Sequence, residues 1–206
     1  MGRRFIVRST AAAALALVTC LGAQAMGPAD APLAIDTARV TIAGTSNIHE
    51  YSASTTKIRV TRAQLGPVAA GANFWENALK PGAVAAFEIA IPAATLTSPK
   101  DGLDKNMYKA LKVEQHPEIT FRLVRFEPGP SGALKAIGML QIAGVEREVA
   151  LDLKTQRNES SFTVKGEVEL LMTDYGITPP KAMLGMLKTD PKVTVTFETV
   201  LTIPLT

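Results

Sequence analysis

Apolar and polar residues alternate with a period of two over most of this chain. Eight segments carry that signature: 33–42, 51–62, 84–96, 118–127, 133–142, 145–155, 161–171 and 192–203. In 161–171, Phe162, Val164, Val168 and Leu170 share one face, while Lys165, Glu167 and Glu169 share the other. In 192–203 the apolar face is Val193, Val195, Phe197, Leu201 and Ile203. Strands buried on both sides would read as continuous apolar runs. One wet face and many long strands instead predict an all-β fold, an extended antiparallel sheet closing into an eight-stranded barrel. Such an interior either fills with side chains or holds one elongated small ligand.

Three stretches break the alternation. Residues 73–81, with the only tryptophan, Trp75, suit a short helix or a loop. Residues 103–113 predict the best helix, with Asp104 as N-cap and Leu103 and Tyr108 as staple positions. Residues 179–191 predict a third helix, because Met183, Leu184, Met186 and Leu187 fall within about two turns. At 107–123 the period switches from helical to two around His116 and Pro117. That junction needs a proline, which disfavours helical geometry before it and cannot continue a helix. Ala143-Gly144 is a two-residue hairpin signal between the fifth and sixth strands.

The apolar faces supply the candidate lining of the barrel. It comprises Phe87, Ile89 and Ile91; Phe121 and Leu123; Leu140; Phe162, Val164, Val168 and Leu170; and Val195 and Phe197. Met107 and Leu111 join from the helix and Met183 and Met186 from the late segment, since flexible thioethers adapt to irregular or flexible neighbours. A packed core and a lined cavity both satisfy this pattern.

Composition changes the picture at the N-terminus. Arg3, Arg4 and Arg8 precede an apolar run, Ala11 to Ala23, that ends in Ala23-Gln24-Ala25. This is the pattern of a secretory leader cleaved after Ala25, with residues 26–206 as a single domain in the periplasm or secreted. Of 22 Lys and Arg, three leave with the leader, so 19 face the 19 Asp and Glu. The net charge of +3 therefore reflects the leader and excludes nucleic acid as a partner. The only cysteine, Cys20, also lies in the leader. Leu17-Val18-Thr19-Cys20 roughly matches a lipoprotein box, with Thr19 where a smaller residue is usual; leader cleavage is the preferred reading.

Catalytic parts are scarce. The two histidines, His49 and His116, lack metal-ligand spacing, although Glu50, Glu114 or Glu118 could complete a site if the fold joined them. Ser46 and Ser52 lie near His49 but in no nucleophile elbow. Residues 66–71 lack the spacing of a phosphate loop. Glu167 and Glu169 belong on a solvated face. The chain thus reads as a binding protein without enzyme activity or cofactor. A metal-binding or hydrolytic protein using His49 and His116 remains one alternative, and a filled, stress-associated, partner-binding barrel the other.

Five motifs in order resemble the YceI-like family. They are GTSNIHEYSA (44–53), DKNMYKALKVEQHPEITFRL (104–123), GMLQIAGVEREVALDL (138–153), TDYGI (173–177) and KVTVTFETVL (192–201). Tyr51 stands where many members have tryptophan, and KAMLGMLK replaces a shorter, Gly-richer connection. The resemblance implies a lipocalin-like barrel in the periplasm, holding a long isoprenoid such as a polyprenyl chain or quinone tail. His49, Tyr51 and Tyr108 are then the candidate head-group contacts. The partners in keeping with this are an isoprenoid or other amphiphilic lipid, a transient membrane contact and a homodimer.

Overall fold

The computed structural model describes residues 29–30, 33–66, 73–80, 82–99, 101–129, 133–158, 161–182 and 186–202. The expected leader with Cys20, and Met183 and Leu184, lie outside the described residues. Nine long strands form one antiparallel sheet. These are β2 (Ala34–Ser46), β3 (Glu50–Thr55), β4 (Arg59–Leu65), β5 (Val84–Pro92), β6 (Glu118–Pro128), β7 (Leu134–Ile142), β8 (Val145–Arg157), β9 (Ser161–Leu171) and β11 (Leu187–Thr202). Two-residue strands β1 (Ala29–Asp30) and β10 (Lys181–Ala182) pair with β4 and β11. From β4 to β9 the chain is a meander. β11 then inserts between β9 and β2, and β3 pairs with β2.

The sheet curls strongly, as the sequence pattern required. β3 and β4 share no ladder; instead Ser54 and Thr97 exchange backbone hydrogen bonds of 2.9 and 3.0 Å beside that seam. The expected strand 51–62 is therefore two strands. The buried Thr55 hydroxyl explains the break: it accepts the Lys57 N–H at 3.0 Å and pairs with the Thr95 hydroxyl at 2.8 Å. A side chain that takes a nearby backbone donor competes with the ladder.

Cross-strand rows place the apolar faces inside. Phe197 stands between Gly166 and Val40, Val195 between Val168 and Ile42, and Phe121 between Leu140 and Ile89. Charges occupy the outer face, where Lys192–Glu169 (2.9 Å), Lys165–Glu198 (2.8 Å) and Arg59–Glu118 bridge neighbours. Such exposed pairs contribute little stability but keep the edges and outer wall soluble. Turn chemistry holds as expected at Ala143-Gly144, both at positive φ (51° and 83°). Glycine there also admits His116, whose ring would lie 2.5 Å from any Cβ at Gly144. His116 is thus a junction residue fitted against a hairpin.

The helices differ from expectation in part. α1 (Phe74–Ala78) is the short helix around Trp75. α2 (Asp101–Ala110) begins earlier than predicted, so Asp104 is not its N-cap; its carboxylate reaches back to the Ser98 N–H at 2.8 Å. The late segment is not helical where described. Lys181–Ala182 folds back onto Leu187–Lys188 as a hairpin, because pairing at the start of β11 satisfies its backbone better than an isolated short helix would.

The hydrophobic core separates into two clusters at opposite ends of the barrel. One gathers Leu96, Leu111, Ile119, Tyr175 and Ile177 near α2. The other gathers Leu65, Phe74, Trp75, Ala78, Phe162 and Leu201 around α1. Between them the wall is kept thin where Phe197 lies flat over Gly166; a Cβ there would come within 2.4 Å of the ring. Gly166→Val should force Phe197 off the wall and lower the unfolding free energy by about 1–3 kcal/mol. Urea denaturation measures the loss, and adding Phe197→Leu should recover most of it.

Candidate functional site

Two chambers occupy the barrel in tandem. The lower, of about 230 Å³, is lined by residues from all nine long strands except β3, and by α1. The upper, of about 340 Å³, lies between the strand ends, α2 and the turn Met172–Tyr175. Ile42, Ile119, Ile142, Leu170 and Val195 belong to both, and form a waist between them. The combined space is of the size of a small-molecule site.

Phe87, Ile89, Ile91, Phe121, Leu123, Leu140, Phe162, Val164, Val168, Leu170, Val195 and Phe197 all line the lower chamber. Met107 and Leu111 line the upper one. Phe87, Phe121, Leu140, Val168 and Phe197 are only half-buried although they point inward. Their free surface faces the hollow. Met186 is a correction: it is 66 % exposed at the turn before β11, where its carbonyl accepts the Asn47 amide at 2.9 Å. The hairpin that replaces the expected helix turns it outward.

Polar groups concentrate in the upper chamber. Its wall holds Ser46, His49, Tyr51, Asn106, Tyr175 and Thr189. The Ser46 hydroxyl caps the β2–β3 turn, donating to the His49 carbonyl at 2.8 Å and accepting the His49 N–H at 3.1 Å. Tyr51 packs over Gly44, and its buried hydroxyl has no protein partner. Burial first, then the nearby Asp190 carboxylate, pushes that hydroxyl above its ordinary range, so it stays protonated at neutral pH. Tyr108 is a second correction. Its hydroxyl donates to the carbonyls of Leu96 (2.7 Å) and Ala94 (3.0 Å), so it ties α2 to the turn that follows β5 and faces neither chamber. No Lys, Arg, Asp or Glu among the described residues lines either chamber.

The alternative histidine pairing is not formed as a centre. His49 borders the upper chamber, His116 lies over the β7–β8 turn and lines neither chamber, and among the described residues no three His, Cys, Asp or Glu side chains gather. The sequence reading missed Phe74 and Trp75 of α1, Leu79 at its C-terminal end, Thr199, Phe126 and Leu134, all of which line the lower chamber. Trp75 stacks on Phe162 with centroids 5.1 Å apart at 18°, and its indole N–H lacks a partner.

A strongly curled antiparallel sheet with an unfilled, largely apolar interior defines the class of fold. The chain belongs to the YceI-like family, whose domain model matches residues 34–201. Among solved structures, it is similar to Burkholderia cenocepacia BcnA, with 13% identity, a TM-score of 0.62, and coverage of 79% of this chain and 95% of that one. A polyisoprenoid binding domain from Saccharophagus degradans, implicated in plant cell wall breakdown, matches at 12% identity and a TM-score of 0.62, covering 84% and 99%. The YCEI protein of Campylobacter jejuni matches at 14% identity and a TM-score of 0.51, covering 76% and 82%. No curated protein matches significantly.

Two measurements test this geometry. Tyr108→Phe should cost about 1–2 kcal/mol of stability through its lost hydrogen bonds, while leaving the chambers unchanged. All three tyrosines are raised, chiefly by burial, with Asp190, Asp104 and Asp174 adding at Tyr51, Tyr108 and Tyr175, and Arg147 opposing at Tyr175. The folded state then holds its phenolic protons more tightly than the unfolded chain. That contribution is complete below about pH 10 and is lost as pH climbs through the raised values. In an alkaline titration, phenolate absorbance should rise together with the loss of sheet ellipticity, above the ordinary tyrosine range.

Proposed function

We propose that this protein is an exported carrier that encloses an uncharged isoprenoid-like amphiphile, such as a polyprenol or the tail of a quinone. The unfilled barrel interior carries this reading. Protein cores normally leave few voids larger than a water molecule, yet two neighbouring compartments that share five lining residues remain here, walled mainly by aliphatic and aromatic side chains. The polyisoprenoid-binding domain with the same fold supports the ligand class.

Polarity orients the ligand. The tail belongs in the lower chamber and the head in the upper one, where Tyr51, whose buried hydroxyl has no protein partner, would donate to a carbonyl or hydroxyl once its ring turns from Gly44 toward the chamber. A phosphate head would enter without a lysine or arginine in the lining, and an unpaired buried charge costs several kcal/mol. Neutral heads therefore suit the site. The role is binding rather than catalysis, in the periplasm or outside the cell, with leader cleavage after Ala25.

Native mass spectrometry of protein purified from its expression host should find a co-purifying neutral lipid. Tyr51→Phe should weaken quinone binding about tenfold, in line with one hydrogen bond of about 1.4 kcal/mol, and barely change binding of the bare hydrocarbon. Protein that stays empty when offered both polyprenols and quinones would remove the carrier role.

A further inference from the structure

The two ends of the ligand space are built differently. Along the bore, Phe87, Phe121 and Phe197 are half-buried and line open space. At the far end, Phe74, Trp75 and Phe162 are 6%, 5% and 4% exposed. Trp75 lies nearly parallel to Phe162, and Phe74 meets its edge at 87° with centroids 5.1 Å apart. The wall therefore has slack, and the floor is packed.

The surrounding elements lock that floor in place. α1 is held among the ends of four strands through Leu65 of β4, Val84 of β5, Phe162 of β9 and Leu201 of β11. Rotation of a wall ring gives a flexible chain more width. It gives no more depth, because moving Trp75 would open a buried aromatic cluster and create a void in one of the two cores. Depth is thus the fixed dimension. From Thr189 in the upper chamber to Leu201 by the floor, β11 runs about 40 Å, or roughly 30 Å along the axis at ordinary barrel tilt.

We infer that the Trp75–Phe162 stack is a stop that selects the bound lipid by tail length: with the head held at Tyr51, the tail that just reaches the floor binds best. This rests on the carrier reading above. Shorter tails leave the lower chamber unfilled, and longer ones must fold back or push the head out of the mouth.

Trp75 is the only tryptophan of the chain, so the floor reports on itself. Ubiquinone homologues with short, intermediate and long isoprenoid tails are titrated into the full-length mature protein in mild detergent, following Trp75 emission and, separately, affinity by calorimetry. Short homologues should bind while leaving the emission spectrum unshifted. At one length the emission should shift and affinity should peak, then fall at least about tenfold for the longest tails. Phe162→Ala, which deepens the floor and keeps the reporter, should move the peak to a longer homologue; Phe162→Leu is the milder variant if alanine unfolds the domain. Affinity and emission indifferent to tail length in the unaltered protein overturn the stop and leave the carrier role standing. A peak that stays in place in a folded Phe162 variant overturns it as well. Binding of no homologue at all removes both.

Discussion

The inward side chains of this barrel do not meet across its axis, and the rest of the structure is arranged around that gap. A void in a protein interior forfeits about 24 cal/mol per Å³ of packing. For the lower chamber alone, at about 230 Å³, that is roughly 5 kcal/mol. Whole domains are stable by only about 5–15 kcal/mol. A fold that tolerates such a deficit must hold its shape by other means, and it gains stability from whatever fills the space. Glycine under aromatic rings is one of those means. Phe197 over Gly166 and Phe121 over Gly138 lay large apolar surfaces along the wall, where they shield the ladder without closing the lumen.

For the proposed carrier, greasiness alone would not select a lipid from a membrane. The hydrocarbon leaves one apolar medium for another, so the hydrophobic gain of about 0.8 kcal/mol per carbon group largely cancels. What remains is shape and the head group. The asymmetry of the two chambers meets both demands. Most polar lining side chains sit at one end, and the packed aromatic cluster of α1 sits at the other. A symmetrical greasy tube would give an amphiphile no reason to enter in one direction.

Much of this was legible in the alternation of residues, because a period of two states directly which side of a curled sheet is wet. It fails where the sheet is irregular. β6 carries a bulge between Leu123 and Arg125, so strict alternation would turn Arg125 inward. The bulge instead keeps Arg125 outside beside Val124, which is 48% exposed, and delivers Phe126 to the lumen. Thr55 divides one predicted strand through a hydrogen bond that no periodicity records. The pairing of Lys181–Ala182 with Leu187–Lys188 was hidden because the spacing of apolar residues around it suits a helix, and the ladder at the start of β11 decides against one where the chain is described. Trp75 sits on a helix of five residues, too short to show a period, so its place at the floor follows only from which strand ends it touches.

The division of the core into two ends explains how a binding space survives in so small a domain. Buried residues cluster around α2 and around α1, and the continuous ladder from β4 through to β3 joins them mechanically. Each end has well-buried aliphatic and aromatic groups, of which Leu111, Tyr175 and Ile177 at the α2 end also wall the upper chamber. The stretch between them needs only backbone pairing and one apolar side chain per register position. Side chains in that stretch are therefore free of the close-packing demand that governs ordinary cores. Their sizes are set by the bore they leave open, and that is why the half-buried phenylalanines lie midway along the barrel while the fully buried ones lie at its floor.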